Sequence, residues 1–195
     1  MKKIFVTMAA ALLAVTMNAQ NKIGELSIAP TIGLNSATLS GDGVTEAKAM
    51  MTFAVGANFE YGVSKDFGVT AGLIYSMQGA QVKGADVKEK LNYLNVPILA
   101  NYYVAKGLAL KAGIQPGILL SANMEASGGG TTGSVDIKEE CSNIDFTIPV
   151  GASYEISNFV IDARYNIGLT NIYDSGDPVK NSVVQIAIGY KFSLK

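Results

Sequence analysis

Apolar positions along this chain recur with a period of two, and the clearest run is residues 159–170, FVIDARYNIGLT. Phe159, Ile161, Ala163, Tyr165, Ile167 and Leu169 share one face, while Val160, Asp162, Arg164, Asn166, Gly168 and Thr170 share the other. Successive side chains of a β-strand point to opposite sides, so this alternation predicts a strand, and helical spacing fits it poorly. The first face is apolar with two aromatics. The second is small or polar and carries an Asp/Arg pair. Such a strand suits an outside in lipid and an inside in a narrow polar lumen.

The same pattern predicts seven more strands. The first covers Glu25 to Asn35, with Leu26, Ile28, Ile32 and Leu34 outward. The second, Met51 to Val63, turns Met51, Phe53, Val55, Ala57, Phe59 and Tyr61 outward and Thr52, Ala54, Gly56, Asn58 and Glu60 inward. The third is Phe67 to Gln78, the fourth Leu91 to Val104, the fifth Leu108 to Ser121 and the sixth Ile144 to Ile156. Residues 159–170 form the seventh, and Ser182 to Leu194 the eighth. Connections after even strands are two or three residues; those after odd strands are roughly 12 to 22 and rich in Gly, Ser, Asp and Lys. Short turns at one end and long polar loops at the other is the arrangement of an outer-membrane barrel, turns in the periplasm and loops outside. The fold class expected is therefore all-β: an eight-stranded antiparallel up-and-down transmembrane β-barrel.

Aromatics fall in two groups. Tyr61, Phe67, Tyr102, Tyr154, Phe159, Tyr190 and Phe192 lie beside the short turns or the C-terminus, and Phe53, Tyr75, Phe146 and Tyr173 towards the long loops. Two such belts suit the two membrane interfaces. Pro30, Pro97, Pro116 and Pro149 fall inside strands, where each removes a ladder donor, and they predict bulges.

Composition agrees with the barrel. Charged residues are 16% of 195, against about a quarter in ordinary soluble domains. No apolar run reaches the roughly 18 residues of a spanning helix. Lys2 and Lys3, the apolar stretch from Ile4 to Val15 and Met17-Asn18-Ala19 before Gln20 read as a secretory signal cleaved after Ala19, leaving 20–195 as one barrel domain. Removing those two of 15 basic residues leaves 13 against 16 acids, a net charge of −3, with no footprint for nucleic acid.

The signal ending Asn18-Ala19-Gln20, the run Tyr93-Leu94-Asn95-Val96-Pro97-Ile98-Leu99 and the closing Gly189-Tyr190-Lys191-Phe192 together resemble small PorT-like outer-membrane β-barrel proteins of Bacteroidota. The resemblance covers essentially the whole mature chain. It implies an eight-stranded barrel in the outer membrane and carries over no catalytic residue.

Chemistry concentrates in one inward set: Glu60, Lys111, Glu155, Asp162, Arg164 and Lys191, three acids against three bases in the strand halves nearest the short turns. An eight-stranded interior is just wide enough for side chains to fill, and buried charges there must pair. A salt-bridged plug satisfies both conditions; a gated polar path or small-ligand site is the alternative. With no histidine, Ser-His and Asp-His hydrolase sites cannot be built, so no enzyme is expected. No cofactor and no metal are expected either. Asp42, Glu46, Asp174 and Asp177 match no calcium-loop signature and read as solvated acids. Gly128-Gly129-Gly130 precedes no helix or lysine and reads as a flexible loop. The single Cys141 can form no internal disulfide and reads as an inert loop thiol. A soluble barrel of lipocalin type would need a charged, water-facing second face, which these strands lack.

The function expected is a structural or interaction role: envelope stability, or adhesion and partner binding through four mobile surface loops. An accessory role in secretion or envelope assembly, and then a narrow solute pore, are the alternatives. Expected partners are outer-membrane lipid and an extracellular or envelope protein, the barrel being monomeric.

Overall fold

Inside a bilayer every backbone donor and acceptor must find a partner within the protein, and a closed sheet achieves this without an edge. The computed structural model describes residues 23–42, 44, 47–128 and 131–194, and within them the chain closes such a ring. The first strand is Leu26–Ser40, the second Met50–Gly62, the third Phe67–Val82 and the fifth Leu108–Gly128. The sixth is Ile144–Ile156 and the seventh Phe159–Gly168. The fourth comes in two pieces, Val87–Asn95 and Ile98–Ala105, and the eighth in two, Lys180–Tyr190 and Phe192–Leu194. Each pairs antiparallel with its neighbours in sequence, and the eighth returns to the first, with Gly189 opposite Thr31 and Lys180 opposite Ser40. The expected segment before Gln20 lies outside the described residues. No described helix is long and apolar enough to cross a membrane.

The distribution of side chains is inside out. Ile32, Leu34, Met51, Phe53, Leu73, Ile114, Ile186 and Ile188 stand exposed on the outer wall, whereas Asn35, Thr70, Asn101, Gln115, Asn181 and Gln185 are buried within. A continuous apolar exterior belongs in lipid and excludes a soluble carrier. At the short-turn end Phe159 packs edge-on to Tyr190 with centroids 5.1 Å apart, and Tyr190 lies 4.8 Å from Phe192. At the other end Phe53 and Tyr75 are 6.1 Å apart. Tyr173 departs from its expected belt position: it packs against the residues closing the mouth of the barrel.

The prolines do not produce bulges. Each sits where one neighbouring ladder is already interrupted, so its missing N–H removes no bond. Thr31 pairs with Gly189 and Ile28 with Phe192, leaving Pro30 opposite the break in the eighth strand. There the Lys191 N–H turns away to the Asn158 carbonyl at 2.7 Å. Pro149 pairs with Asn166 on one side; on the other the ladder runs from Ala112–Val150 to Gln115–Thr147 with nothing between. Pro97 and Pro116 flank a shared gap, stitched by Val96 N–H to the Pro116 carbonyl at 2.8 Å. The register shifts that do occur lie at Asn92/Tyr93 and Tyr103/Ala105.

Two of the expected long loops are largely sheet. The third and fourth strands continue to Val82 and from Val87, and the fifth strand extends into a hairpin with Thr131–Asp136. Both faces of these extensions meet water or the mouth, so their sequences carry no apolar alternation to read.

Candidate functional site

All six inward charged residues meet in the half of the lumen nearest the short turns. Lys191 Nζ lies 2.9 Å from Glu60 Oε1 and 2.8 Å from Glu155 Oε1. Lys111 Nζ lies 3.0 Å from Asp162 Oδ2, and Arg164 Nε 2.7 Å from Asp162 Oδ1. Alternation explains the convergence. Neighbouring antiparallel strands present these positions at adjoining rungs, Lys111 opposite Gly151 and Arg164 opposite Gly151 and Gln185. A Cβ at Gly151 would meet the Ala163 carbonyl, so glycine there lets the sixth and seventh strands approach closely at this level.

A shell of neutral groups completes the pairing, and none of it was singled out by the sequence. The Tyr103 hydroxyl sits 2.6 Å from Glu60 and 3.0 Å from Glu155, so its one proton serves two carboxylates. Asn101 donates to Glu60 at 2.7 Å. Arg164 Nη2 donates to Gln185 at 2.9 Å, Gln185 to Asn35 at 2.9 Å, and Asn35 to Ser76 at 3.0 Å. An inward parity for Tyr103, Asn101, Gln185 and Asn35 was the available signal. Around the cluster the lumen holds a void of about 30 Å³, walled by Ser27, Asn58, Glu60, Lys111, Asp162 and Lys191 among others. That is room for about one water.

The opposite mouth is closed by different material. Leu91, Tyr93, Leu119, Ala122, Ile137, Cys141, Ile172 and Val179 form a buried apolar cluster, with Leu39, Val44 and Tyr173 against it. Leu91 and Tyr93 face inward while Leu94 faces out; apolar residues on both faces of one strand were the signal for this cap. The connecting segments are held by backbone bonds: Ile137 N–H to Ala122, Ser142 N–H to Ile172 and Ile172 N–H to Val179, at 3.0, 2.7 and 2.8 Å. Two expectations change here. The loops after the fifth and seventh strands are built segments, since their apolar residues fill the top of the barrel. Cys141 is 2% exposed, and its thiol is pushed up to about 11, first by burial and then by Glu89, Glu140, Asp174 and Asp136.

Among the described residues no group of three or more His, Cys, Asp or Glu could hold a metal ion. Asp174 instead accepts from the Ser142 hydroxyl at 2.7 Å, and Glu46 lies outside the described residues. Gly128 ends the fifth strand, and Gly129 and Gly130 lie outside the described residues.

A ring of eight antiparallel strands with a lipid-facing apolar wall, a filled polar lumen and built segments at one mouth defines a small outer-membrane β-barrel. The chain belongs to the outer membrane protein beta-barrel domain family, whose pattern matches residues 18–174. Among solved structures it is similar to Ail, the attachment invasion locus protein of Yersinia pestis, at 22% identity and a TM-score of 0.52, covering 88% of this chain and 100% of that one. Ail has also been solved in complex with the heparin analogue sucrose octasulfate, with a TM-score of 0.53 and the same identity and coverage. Neisserial surface protein A is similar at 13% identity, with a TM-score of 0.54 and coverage of 86% and 97%. At these identities the likeness is one of fold. No curated protein matches the chain.

Proposed function

We propose that this chain is a plugged, non-catalytic outer-membrane barrel that acts through its extracellular segments, by stabilising the envelope or binding a partner at the cell surface. The observation that carries this reading is the meeting of six paired charges in the lumen around a void of about 30 Å³. A lumen so filled gives no path for a solute, which leaves the outward surface as the working part. Ail is named for attachment and invasion and the Neisserial protein as a surface protein, which supports the same reading. In it, the signal is cleaved after Ala19, residues 20–195 form one domain, and the barrel is a monomer in lipid.

The hairpin after the fifth strand is the first element to test. Glu125 and Ser134 face each other in its ladder, so residues 126–133 can be replaced by a two-residue Asn-Gly turn. The expected result is loss of surface adhesion or of partners captured by crosslinking on whole cells. The barrel itself should keep its outer-membrane location and its mobility shift between unboiled and boiled gels. Unchanged adhesion and crosslinking would overturn the loop reading, and steady conductance of the wild type in a planar bilayer would overturn the plug. An accessory, PorT-like role in secretion or envelope assembly is the second reading, supported by the run 93–99. Within that run Tyr93, Asn95 and Pro97 are buried in the barrel, so the motif accounts for packing and names no partner.

A further inference from the structure

Beside the apolar cap lies an outward-opening vestibule of about 230 Å³, walled by Leu39, Val44, Val82, Val179, Met124 and Tyr173. Glu89 stands in this wall only 8% exposed, and its Oε1 has no hydrogen-bond partner. The Tyr173 hydroxyl hydrogen-bonds its carboxyl group. Every other buried carboxylate described in the barrel is better provided. Glu60, Glu155 and Asp162 have cations, and Asp145 accepts from Thr170 at 2.7 Å and Asn181 at 3.0 Å. A buried, half-satisfied carboxylate facing a cavity is costly unless something completes it.

We propose that the vestibule binds small amphipathic amines, the ammonium on Glu89 and the apolar body against Leu39, Val44, Val82 and Val179. Size fits: an apolar cavity of about 150 Å³ takes benzene, so this one takes a ring with a short amine arm. Charge favours a cation over a neutral donor. Glu89, Glu140, Asp174 and Asp136 all act in the same direction on the neighbouring thiol of Cys141, which marks a negative field at this rim. Gly79 lies behind Glu89. Its φ of +115° lets the third strand pass close to Glu89, where a Cβ would meet the Glu89 carbonyl.

The test is titration of 2-phenylethylammonium into the full barrel in lipid nanodiscs, followed by calorimetry, with uncharged 2-phenylethanol as comparison. Expected are saturable binding of the amine, at least tenfold weaker binding of the alcohol, and at least tenfold loss in Glu89→Gln. Ala47→Trp, which keeps the carboxyl and fills the cavity, should lose binding too. No saturable binding to the wild type, equal binding of the alcohol, or unchanged binding in a folded Glu89→Gln barrel would each overturn the proposal. If Glu89→Gln shows no gel-mobility shift, Ala47→Trp decides: retained amine binding there overturns the site.

Discussion

The two ends of the lumen are filled by opposite kinds of side chain. Near the short turns the barrel is filled by ion pairs, Lys191 between Glu60 and Glu155, and Asp162 between Lys111 and Arg164. At the other mouth it is filled by Leu91, Tyr93, Leu119, Ile172 and their neighbours. The difference follows from what each end can reach. The inner closure is made within the strands, whose inward faces are polar so that the outward faces can meet lipid. The outer closure draws on connecting segments that lie beyond the membrane, where apolar residues gain by leaving water. The first closure is strong only while complete; the second degrades by degrees.

The largest effect should come from breaking the inner closure on one side. Asp162→Asn removes the carboxylate that Lys111 and Arg164 share, at a cost of about 3–5 kcal/mol. Urea unfolding in lipid vesicles measures it, and adding Lys111→Met should restore part of the loss. A double variant no better than the single would mean the pairing is not what holds this level.

The mouth should be more forgiving. Leu91→Ala removes a fully buried side chain and should cost about 2–3 kcal/mol, towards the low side of such truncations because the adjoining vestibule gives room to relax. Cys141 reports this step directly. Its thiol should resist maleimide at neutral pH in the wild type and react readily in Leu91→Ala. The sign of the pH effect is fixed by the raised thiol pKa, from an ordinary value of 9.0 to about 11. The protonated thiol favours the folded mouth fully below pH 9, and that contribution fades as pH rises from 9 through about 11. Wild-type labelling as fast as in the variant would remove the contrast between the two ends.

The smallest effect belongs to charges that resemble the inner set in sequence and differ in place. Lys90 and Glu125 meet at 2.7 Å with their side chains about a third exposed. Lys90→Met should change stability by less than about 1 kcal/mol, measured in the same urea titration. A larger loss would show that pairing chemistry, and not depth, separates the two classes.

This contrast also explains what the sequence made legible. Strand parity alone put Glu60, Lys111, Glu155, Asp162, Arg164 and Lys191 on the inner face, because a charge in an otherwise apolar alternation has one place to go. It did not name Tyr103 or Asn101, since a tyrosine or asparagine of inward parity looks like ordinary lumen filling. The outer cap was illegible for a different reason. Ile137, Cys141 and Ile172 lie in segments with no period, and only the folding back of those segments brings them to Leu91 and Leu119. The prolines were misread because a proline next to a gap in the ladder and a proline in a bulge look the same in one dimension.

The balance of three acids against three bases has an electrical consequence. Moving one elementary charge through 100 mV is worth about 2.3 kcal/mol, and voltage-driven gates work by carrying unbalanced charge through the field. The paired cluster in this lumen has no formal net charge to be driven, so a potential across the outer membrane can polarise it but exerts no net pull towards either mouth.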